Sequence, residues 1–274
     1  MGSADQMLDG HTRKRLIEFV FSMENASGGF NYPRCTPASI EETYFGLSIL
    51  EGIGFDYRNP KTVSYLDSIV LRKNTSLKHL YQVLASYRIL CLDNKMKDID
   101  RILISLDAKR ITRLADLYYY ALLCKGLNRE LNIPKKWQNA LVQSMSKGQK
   151  HISTCQRCVT ICEMAEIDCD KESIISWVQK SQNPDGGFGF YPGTTSYLEN
   201  VWAALDCLEK LRAKPLSPGS CAEFVMSCAS RAGGFGRQKQ ALPTLEHSFM
   251  AVESLRILDS IVRSGNADVE GRSG

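Results

Sequence analysis

The amino-acid sequence lacks the features that would mark a membrane, secreted or nucleic-acid-binding protein. None of its apolar runs approaches the roughly 20 residues that a helix needs to cross a bilayer. Its first residues are not basic and are not followed by an apolar segment, as they would be in a secretory signal. The net charge of +4 is mild, and basic and aromatic residues do not cluster. We therefore expect a protein without a transmembrane segment and without a nucleic-acid partner.

The pattern of a disulfide framework is also missing, although the chain contains 10 cysteines. Most of them lie inside helical patterns rather than in loops, for example Cys91, Cys124, Cys158, Cys207 and Cys228. Cysteines in such positions are typical of buried thiols in a reducing compartment. We therefore expect free thiols and a cytoplasmic protein.

No segment shows the alternating hydrophobicity of a strand, whereas apolar residues recur at helical spacing along most of the chain. Twelve helices are predicted, at residues 11–23, 41–53, 62–71, 77–91, 97–106, 112–126, 133–146, 152–167, 170–181, 194–210, 218–230 and 243–261. Residues 1–10 and 263–274 lack this pattern, and we expect both segments to be disordered. The remaining residues, 11–262, are expected to form one domain.

The predicted helices alternate in six pairs, and the second helix of each pair carries an apolar reference residue. This residue recurs about every 37 to 47 positions, at Leu47, Leu84, Leu122, Ile161, Leu205 and Val252. Three residues before it, five of the six helices carry an aromatic side chain: Tyr44, Tyr81, Tyr119, Trp202 and Phe249. Six residues before it, four of them carry an acid: Glu41, Asp116, Glu199 and Glu246. These two positions share a face, because they lie about one helical turn apart.

Six helical hairpins with equivalent faces can close into a ring in which the second helix of each pair lies inside. Closure would cover the end repeats, which an open superhelix must cap separately. An open superhelix is the alternative architecture. In a closed ring, the fifth, sixth and first hairpins are neighbours.

Glycine-rich loops precede the inner helices of these three hairpins. The strongest copy, Gln182-Asn-Pro-Asp-Gly-Gly-Phe-Gly189, resembles the Q-x-x-D-G-G-F/W-G signature of the prenyltransferase and squalene-cyclase repeat family. Gly28-Gly-Phe30 and Gly233-Gly-Phe-Gly236 are weaker copies, and Glu42 to Leu50 resembles an inner helix of protein prenyltransferase β subunits. The resemblance covers about residues 11–260. It implies an all-α fold, an α/α toroid of six hairpins, whose aromatic central cavity holds an isoprenoid or prenyl diphosphate chain.

By resemblance, the reaction would be prenyl transfer or terpenoid cyclisation. Protein prenyltransferases bind one zinc ion through Asp, Cys and His residues, and the zinc holds the thiolate of the acceptor cysteine. His247 stands at the histidine position, whereas Glu199 and Tyr197 stand where Cys and Asp are expected. The metal site implied here is a carboxylate–histidine site of Glu199, Glu246 and His247. A helical α-type partner subunit is also implied.

Motifs for the head group and for the reaction are incomplete. The family's basic residues that bind a diphosphate are missing between Phe188 and Ser196, and Arg237 and Lys239 are the nearest substitutes. Proton-initiated cyclases use a D-x-D-D motif, and the similar string Asp98-Ile-Asp100 lies on an outer helix. These incomplete motifs do not decide between prenyl transfer and terpenoid cyclisation as the reaction.

A ring of acids above an aromatic cavity would still suit proton-initiated cyclisation, because burial and neighbouring carboxylates keep one carboxyl protonated. The candidate catalytic residues are Glu41, Asp116, Glu199, Glu246 and His247. The same acids lie in first turns, where they interact favourably with the helix dipole. Ser196 and Glu199 have the spacing of a capping box, and Ser39 and Thr244 give similar helix starts. The alternative function is a non-catalytic toroid that binds a lipid or a protein partner.

Overall fold

The computed structural model describes residues 7–32, 36–70, 72, 75–106, 111–146 and 151–270, without the side chains of residues 146 and 264–270. The helices in these ranges are α1 (Gly10–Ser22), α2 (Ile40–Gly52), α3 (Pro60–Val70), α4 (Leu77–Ile89), α5 (Met96–Ile104), α6 (Leu114–Gly126), α7 (Lys135–Ser146), α8 (Ile152–Met164), α9 (Lys171–Lys180), α10 (Leu198–Lys210), α11 (Pro218–Ser227) and α12 (Leu245–Glu270). A 3-10 turn, Asp93–Lys95, precedes α5. Strand β1 (Phe235–Gly236) pairs with β2 (Pro243–Thr244) in an antiparallel ribbon.

The even-numbered helices form a closed inner ring. Helix α2 packs against α4, α4 against α6, α6 against α8, α8 against α10 and α10 against α12, and α12 returns to α2. The odd-numbered helices pack on the outside of this ring, as α3 does on α4 and α7 on α8. The contact between α12 and α2 excludes an open superhelix. The predicted α/α toroid of six helical hairpins is therefore confirmed.

Most inner helices are buried on several faces, because they contact two ring neighbours and an outer helix, as α2 contacts α4, α12 and α1. In α2, eight of the 13 residues are buried, among them Phe45, Leu47 and Leu50. The outer helix α5 buries only Ile99 and Leu103 and turns charged side chains towards solvent. Such amphipathic helices belong at the surface, whereas helices that are apolar on most faces belong in the interior. The sequence pattern therefore decides which helix of a pair lies inside.

The glycine-rich loops form equivalent tight turns that lock neighbouring hairpins together. In the strongest copy, the Gly186 N–H donates to the carbonyl oxygen of Asn183 at 2.9 Å. Gly186 has a φ of +85°, and a Cβ atom there would lie 2.0 Å from the carbonyl oxygen of Ser220 in α11. Gly233 has a φ of +91°, and a Cβ atom there would lie 2.5 Å from the carbonyl oxygen of Arg15 in α1. The last loop thus sits on the first helix and closes the ring.

The predicted caps of α2 and α12 are present. Ser39 Oγ accepts a hydrogen bond from the Glu42 N–H at 3.5 Å, and Thr244 Oγ1 accepts one from the His247 N–H at 3.0 Å. Each bond satisfies a backbone donor that has no partner within its own helix. These caps fix where two of the inner helices begin at the mouth of the ring.

The predicted start of α10 is wrong. The helix begins at Leu198, later than predicted, and Tyr197 before it makes no side-chain cap. Ser196 and Glu199 do not form a capping box, because the Ser196 hydroxyl donates to Asp185 Oδ1 at 2.8 Å. This bond ties the start of α10 to the glycine-rich loop, so the serine stabilises the loop instead of the helix.

The ribbon and the full extent of the domain were not predicted. β1 and β2 have two residues each, which is too short to leave an alternating pattern. Leu8 precedes α1 and is buried, and α12 continues to Glu270, into the segment that was expected to be disordered. The rest of the two expected disordered segments, residues 1–6 and 271–274, lies outside the described ranges.

In the part of the chain that the structure describes, no helix is both long and apolar enough to cross a bilayer. The nine cysteines in the same ranges are free thiols, as predicted. Seven of them are buried, so they pack as small apolar groups within the helical layers.

Candidate functional site

An aromatic layer crosses the bore of the ring and separates two chambers. Its five side chains line both chambers: Tyr44, Tyr81, Tyr118, Trp202 and Phe249. The ring centroids of Tyr44 and Phe249 are 5.5 Å apart, and those of Trp202 and Phe249 are 6.0 Å apart. These separations allow favourable contacts between aromatic rings. Burial raises the pKa of Tyr44 and Tyr81, so both phenols are uncharged at neutral pH.

The upper chamber lies at the end of the ring where the inner helices begin, and the aromatic layer forms its floor. Its volume is about 310 Å³. Above the floor, the walls carry charged and amide side chains from the first two turns of the inner helices: Lys78, Gln82, Gln156, Arg157, Glu199, Asn200 and Glu246. An apolar floor below a polar mouth suits a ligand with an apolar body and a polar end.

The lower chamber lies at the opposite end of the bore and has a volume of about 360 Å³. Its exit carries charged side chains from the later turns of the inner helices: Arg88, Lys125, Asp206, Lys210 and Glu253. Asp206 accepts hydrogen bonds from Gln156 and Lys210. Gln156 also donates to the Tyr118 hydroxyl at 3.3 Å. The Gln156 side chain therefore connects the two chambers across the aromatic layer.

The structure brings most of the predicted site residues to the upper chamber. Four of the five predicted aromatic residues belong to the aromatic layer, and the fifth, Tyr119, lines the wall above it. Glu199 and Glu246 line the same chamber. The aromatic column of the sequence therefore marks the bore, and two of its four acids face the space above the layer.

Five predicted site residues line neither chamber: Glu41, Asp116, Arg237, Lys239 and His247. Asp116 lies 4.0 Å from the guanidinium of Arg113 on the same helix start. Lys239 is exposed in the loop between β1 and β2. The hypothesis that Asp116 is an acid of the cavity and the hypothesis that Lys239 holds a diphosphate there find no support in these positions.

Glu41 reaches the upper chamber only through a basic partner. Its Oε2 lies 2.7 Å from Lys78 Nζ, and its Oε1 lies 3.7 Å from His79 Nε2. Lys78 lines the chamber, whereas Glu41 does not. Glu41 therefore neutralises a cation at the mouth and is not a free acid above the aromatic layer.

Glu199 sits in a cluster with Arg237, Tyr197 and His247. Arg237 Nε donates to Glu199 Oε1 at 2.7 Å, and its guanidinium lies 3.7 Å from the centroid of the Tyr197 ring. His247 Nε2 is 3.8 Å from Glu199 Oε2, while its Nδ1 is 2.8 Å from Thr244 Oγ1. Burial lowers the pKa of His247 more than the nearby carboxylates raise it, so the ring favours the neutral form. Arg237 is therefore paired with Glu199 and is not a free anion-binding group.

The residues do not fit the zinc site that the resemblance implied. In the described ranges, no group of three or more His, Cys, Asp and Glu side chains is arranged to hold a metal ion. Glu199 and His247 do approach each other, but Arg237 occupies one oxygen of Glu199. Glu199, Glu246 and His247 do not form such a group in the described ranges, and Arg237 pairs with one of the carboxylates.

Glu42 is an acid that the sequence did not single out. Burial raises its pKa to about 7, with further contributions from the charges of Glu246 and Glu41. Its Oε2 is buried and has no hydrogen-bond partner. Glu42 therefore titrates near neutral pH, and it interacts electrostatically with Glu246, which lines the upper chamber.

Three further chamber residues were also missed. Gln82, Arg157 and Asn200 line the upper chamber, but none of them belongs to the two columns that were compared. A hint was available, because Glu42, Gln156, Asn200 and His247 share the position five residues before the reference residue. A polar side chain that recurs at one position of the inner helices is therefore as good an indicator of a chamber residue as a recurring acid.

A closed ring of six helical hairpins with an aromatic layer across its bore defines an α/α toroid with a central cavity. The family model described as the prenyltransferase alpha-alpha toroid domain matches residues 1–114, 135–218 and 201–270. The chain therefore belongs to the prenyltransferase alpha-alpha toroid domain family.

A solved structure has a similar fold. It is Candida albicans protein geranylgeranyltransferase-I complexed with GGPP, with a TM-score of 0.66 over 89% of this chain and 90% of that chain. The two sequences are 13% identical, so the likeness concerns the fold. A comparison with curated proteins gave no match.

Proposed function

We propose that the protein binds an isoprenoid chain in the upper chamber, with the chain lying on the aromatic layer. The aromatic layer is the observation that carries this proposal, because five rings from five inner helices form a rigid apolar floor. Aromatic side chains bury large apolar areas at a small cost in conformational freedom. The chamber volume of about 310 Å³ lies at the small end of the range of about 300–1,000 Å³ for ligand pockets.

We further propose that the bound chain undergoes an acid-initiated conversion, which favours cyclisation over prenyl transfer. Glu42 supplies the proton, and Glu246, whose charge contributes to the raised pKa of Glu42 and which lines the chamber, relays it. Adding the proton to a double bond leaves a carboxylate and a carbocation. The faces of nearby aromatic rings stabilise such a cation by roughly 0.5–2 kcal/mol per contact. Loss of a proton from the cation to the carboxylate restores the acid, so no further reactant is needed.

Non-catalytic binding of a lipid is the alternative function, and one observation favours it. Lys78 and Arg237, two cations near the mouth, are held in ion pairs with Glu41 and Glu199. Groups that are already paired are poorly placed to activate a diphosphate leaving group. A helical α-type partner and a cytoplasmic location stay predictions.

Product analysis tests the proposed function. Purified protein is incubated with farnesol, farnesyl diphosphate and geranylgeranyl diphosphate, and the organic extract is examined by mass spectrometry. We expect binding of at least one chain and a cyclic isomer of the same mass, which Glu42→Gln abolishes without abolishing binding. Binding without conversion would support the non-catalytic alternative, and binding of none of the chains would refute the proposal.

A further inference from the structure

We infer that the upper chamber selects a neutral isoprenoid that carries an oxygen, such as an alcohol or a ketone, through the side-chain amides of Gln82 and Asn200. The inference rests on the proposed function, since it names the polar end of the chain that the chamber binds. It assigns a hydrogen-bonding role to two residues on opposite sides of the ring, one on α4 and one on α10.

Both side chains are buried and line the chamber, and one polar atom of each amide has no hydrogen-bond partner among the described residues. Gln82 is 2% exposed and Asn200 is 1% exposed, and both line the upper chamber. Gln82 Oε1 and Asn200 Nδ2 are buried atoms that have no hydrogen bond within the described part of the chain. Buried polar atoms are nearly always hydrogen-bonded, because leaving them without a partner is unfavourable. A ligand in the chamber supplies the missing partners.

The orphan atoms define the chemistry of the ligand's polar group. Gln82 Oε1 is an acceptor, and Asn200 Nδ2 is a donor. A hydroxyl group can donate to the first or accept from the second, and a ketone oxygen can accept from the second. A plain hydrocarbon satisfies neither amide, so it leaves both atoms unpaired when it fills the chamber.

The charges of the chamber argue against a diphosphate as the polar group. Lys78 Nζ is 2.7 Å from a Glu41 oxygen, and Arg237 is bound to Glu199. Arg157 is the remaining cation on the chamber wall, and the Glu246 carboxylate lines the same space. Bringing a multiply charged anion next to these carboxylates would be unfavourable, whereas a neutral oxygen meets no such repulsion.

The test compares three ligands that share one chain: farnesol, farnesyl diphosphate and farnesene, a hydrocarbon. Trp137 and Trp177 are replaced by Phe in every protein compared, so that Trp202 is the only tryptophan. The dissociation constants are measured from Trp202 fluorescence in this background, alone and with Gln82→Leu or Asn200→Leu.

Asn132→Leu is the matched control, because Asn132 is exposed and lies outside both chambers. We expect farnesol to bind roughly fivefold or more tightly than farnesene, as one net hydrogen bond gives. Each chamber variant should reduce this ratio, and Asn132→Leu should leave it unchanged.

Two results would overturn the inference while leaving the proposed function intact. One is farnesyl diphosphate binding more tightly than farnesol. The other is a ratio of farnesol to farnesene affinity that neither chamber variant changes. Failure of all three ligands to bind would refute the proposed function and the selectivity together. Circular dichroism checks folding, and if a leucine variant does not fold, Gln82→Ala and Asn200→Ala replace it with the same readouts.

Discussion

The buried acid Glu42 makes the stability of the toroid depend on pH in a direction that the structure fixes. Its pKa is about 7 in the folded protein, compared with the usual 4.5. The folded state therefore binds this proton more tightly than the unfolded state, and the free energy of unfolding falls as the pH rises from 4.5 to 7. Below pH 4.5 Glu42 does not lower the free energy of unfolding, and above pH 7 it lowers it by the full amount.

Glu42→Gln removes this titration while keeping the size of the side chain. One pKa unit corresponds to about 1.4 kcal/mol, so a shift of this size would cost about 3 kcal/mol for a fully buried group. Glu42 is only partly buried, and solvent screening reduces the expected cost to about 1–2 kcal/mol. We therefore expect Glu42→Gln to be more stable than the unmodified protein by about 1–2 kcal/mol at pH 8, and equal to it at pH 4.

Urea denaturation followed by circular dichroism at both pH values measures this difference. Glu18→Gln is the matched control, since the Glu18 side chain is 63% exposed and should show no comparable pH dependence. Glu246→Gln should flatten the pH dependence of a protein that keeps Glu42, because it removes one of the charges that raise the pKa. A Glu42→Gln variant that is less stable than the unmodified protein at pH 8 would refute the reasoning.

Three further predictions concern the loops, the mouth and the aromatic layer. Gly186→Ala should lower the free energy of unfolding by about 3 kcal/mol or more in urea denaturation, whereas Gly193→Ala should lower it by about 1–2 kcal/mol. Both glycines have a φ of +85°, but only Gly186 contacts a neighbouring helix. The stability of the unmodified protein relative to His247→Gln should fall as the pH falls below 6.5, since burial lowers the pKa of His247; a difference that does not change with pH would contradict this assignment. Phe249→Ala should cost about 3–5 kcal/mol. With Trp137 and Trp177 replaced by Phe, it should also shift Trp202 emission to longer wavelength, because water enters where the two chambers join; unchanged emission would argue against the layer.

The architecture could be predicted because its determinants are local in sequence. The glycine-rich turns recur before three inner helices, and helical periodicity runs through the whole chain. The aromatic residues occupy the same position in their repeats, and Tyr44, Trp202 and Phe249 therefore lie in one layer. The closure of the ring could be predicted from the six repeats, because each repeat has equivalent faces that pack against the repeats on either side.

The details of the site depended on how each helix is rotated and on what packs against it. Neighbouring tyrosines illustrate this dependence, because Tyr118 lies in the aromatic layer while Tyr119, the predicted residue, lines the wall above it. Consecutive side chains on a helix point about 100° apart. An alignment of the six helices by sequence position does not show which of two consecutive side chains points into the bore. The raised pKa of Glu42 and the unpaired amides of Gln82 and Asn200 likewise arise from tertiary burial.

The central claim is that an isoprenoid chain binds on the aromatic layer from the upper chamber. Replacing Trp137 and Trp177 by Phe leaves Trp202, in the layer, as the only tryptophan. Ser153→Phe then narrows the upper chamber at its exposed rim, and Ser144→Phe on α7 is the control away from both chambers. The account predicts a saturable change in Trp202 fluorescence on titration with farnesol, weakened by Ser153→Phe and unaffected by Ser144→Phe. No change, or a change that Ser153→Phe does not weaken, would contradict it.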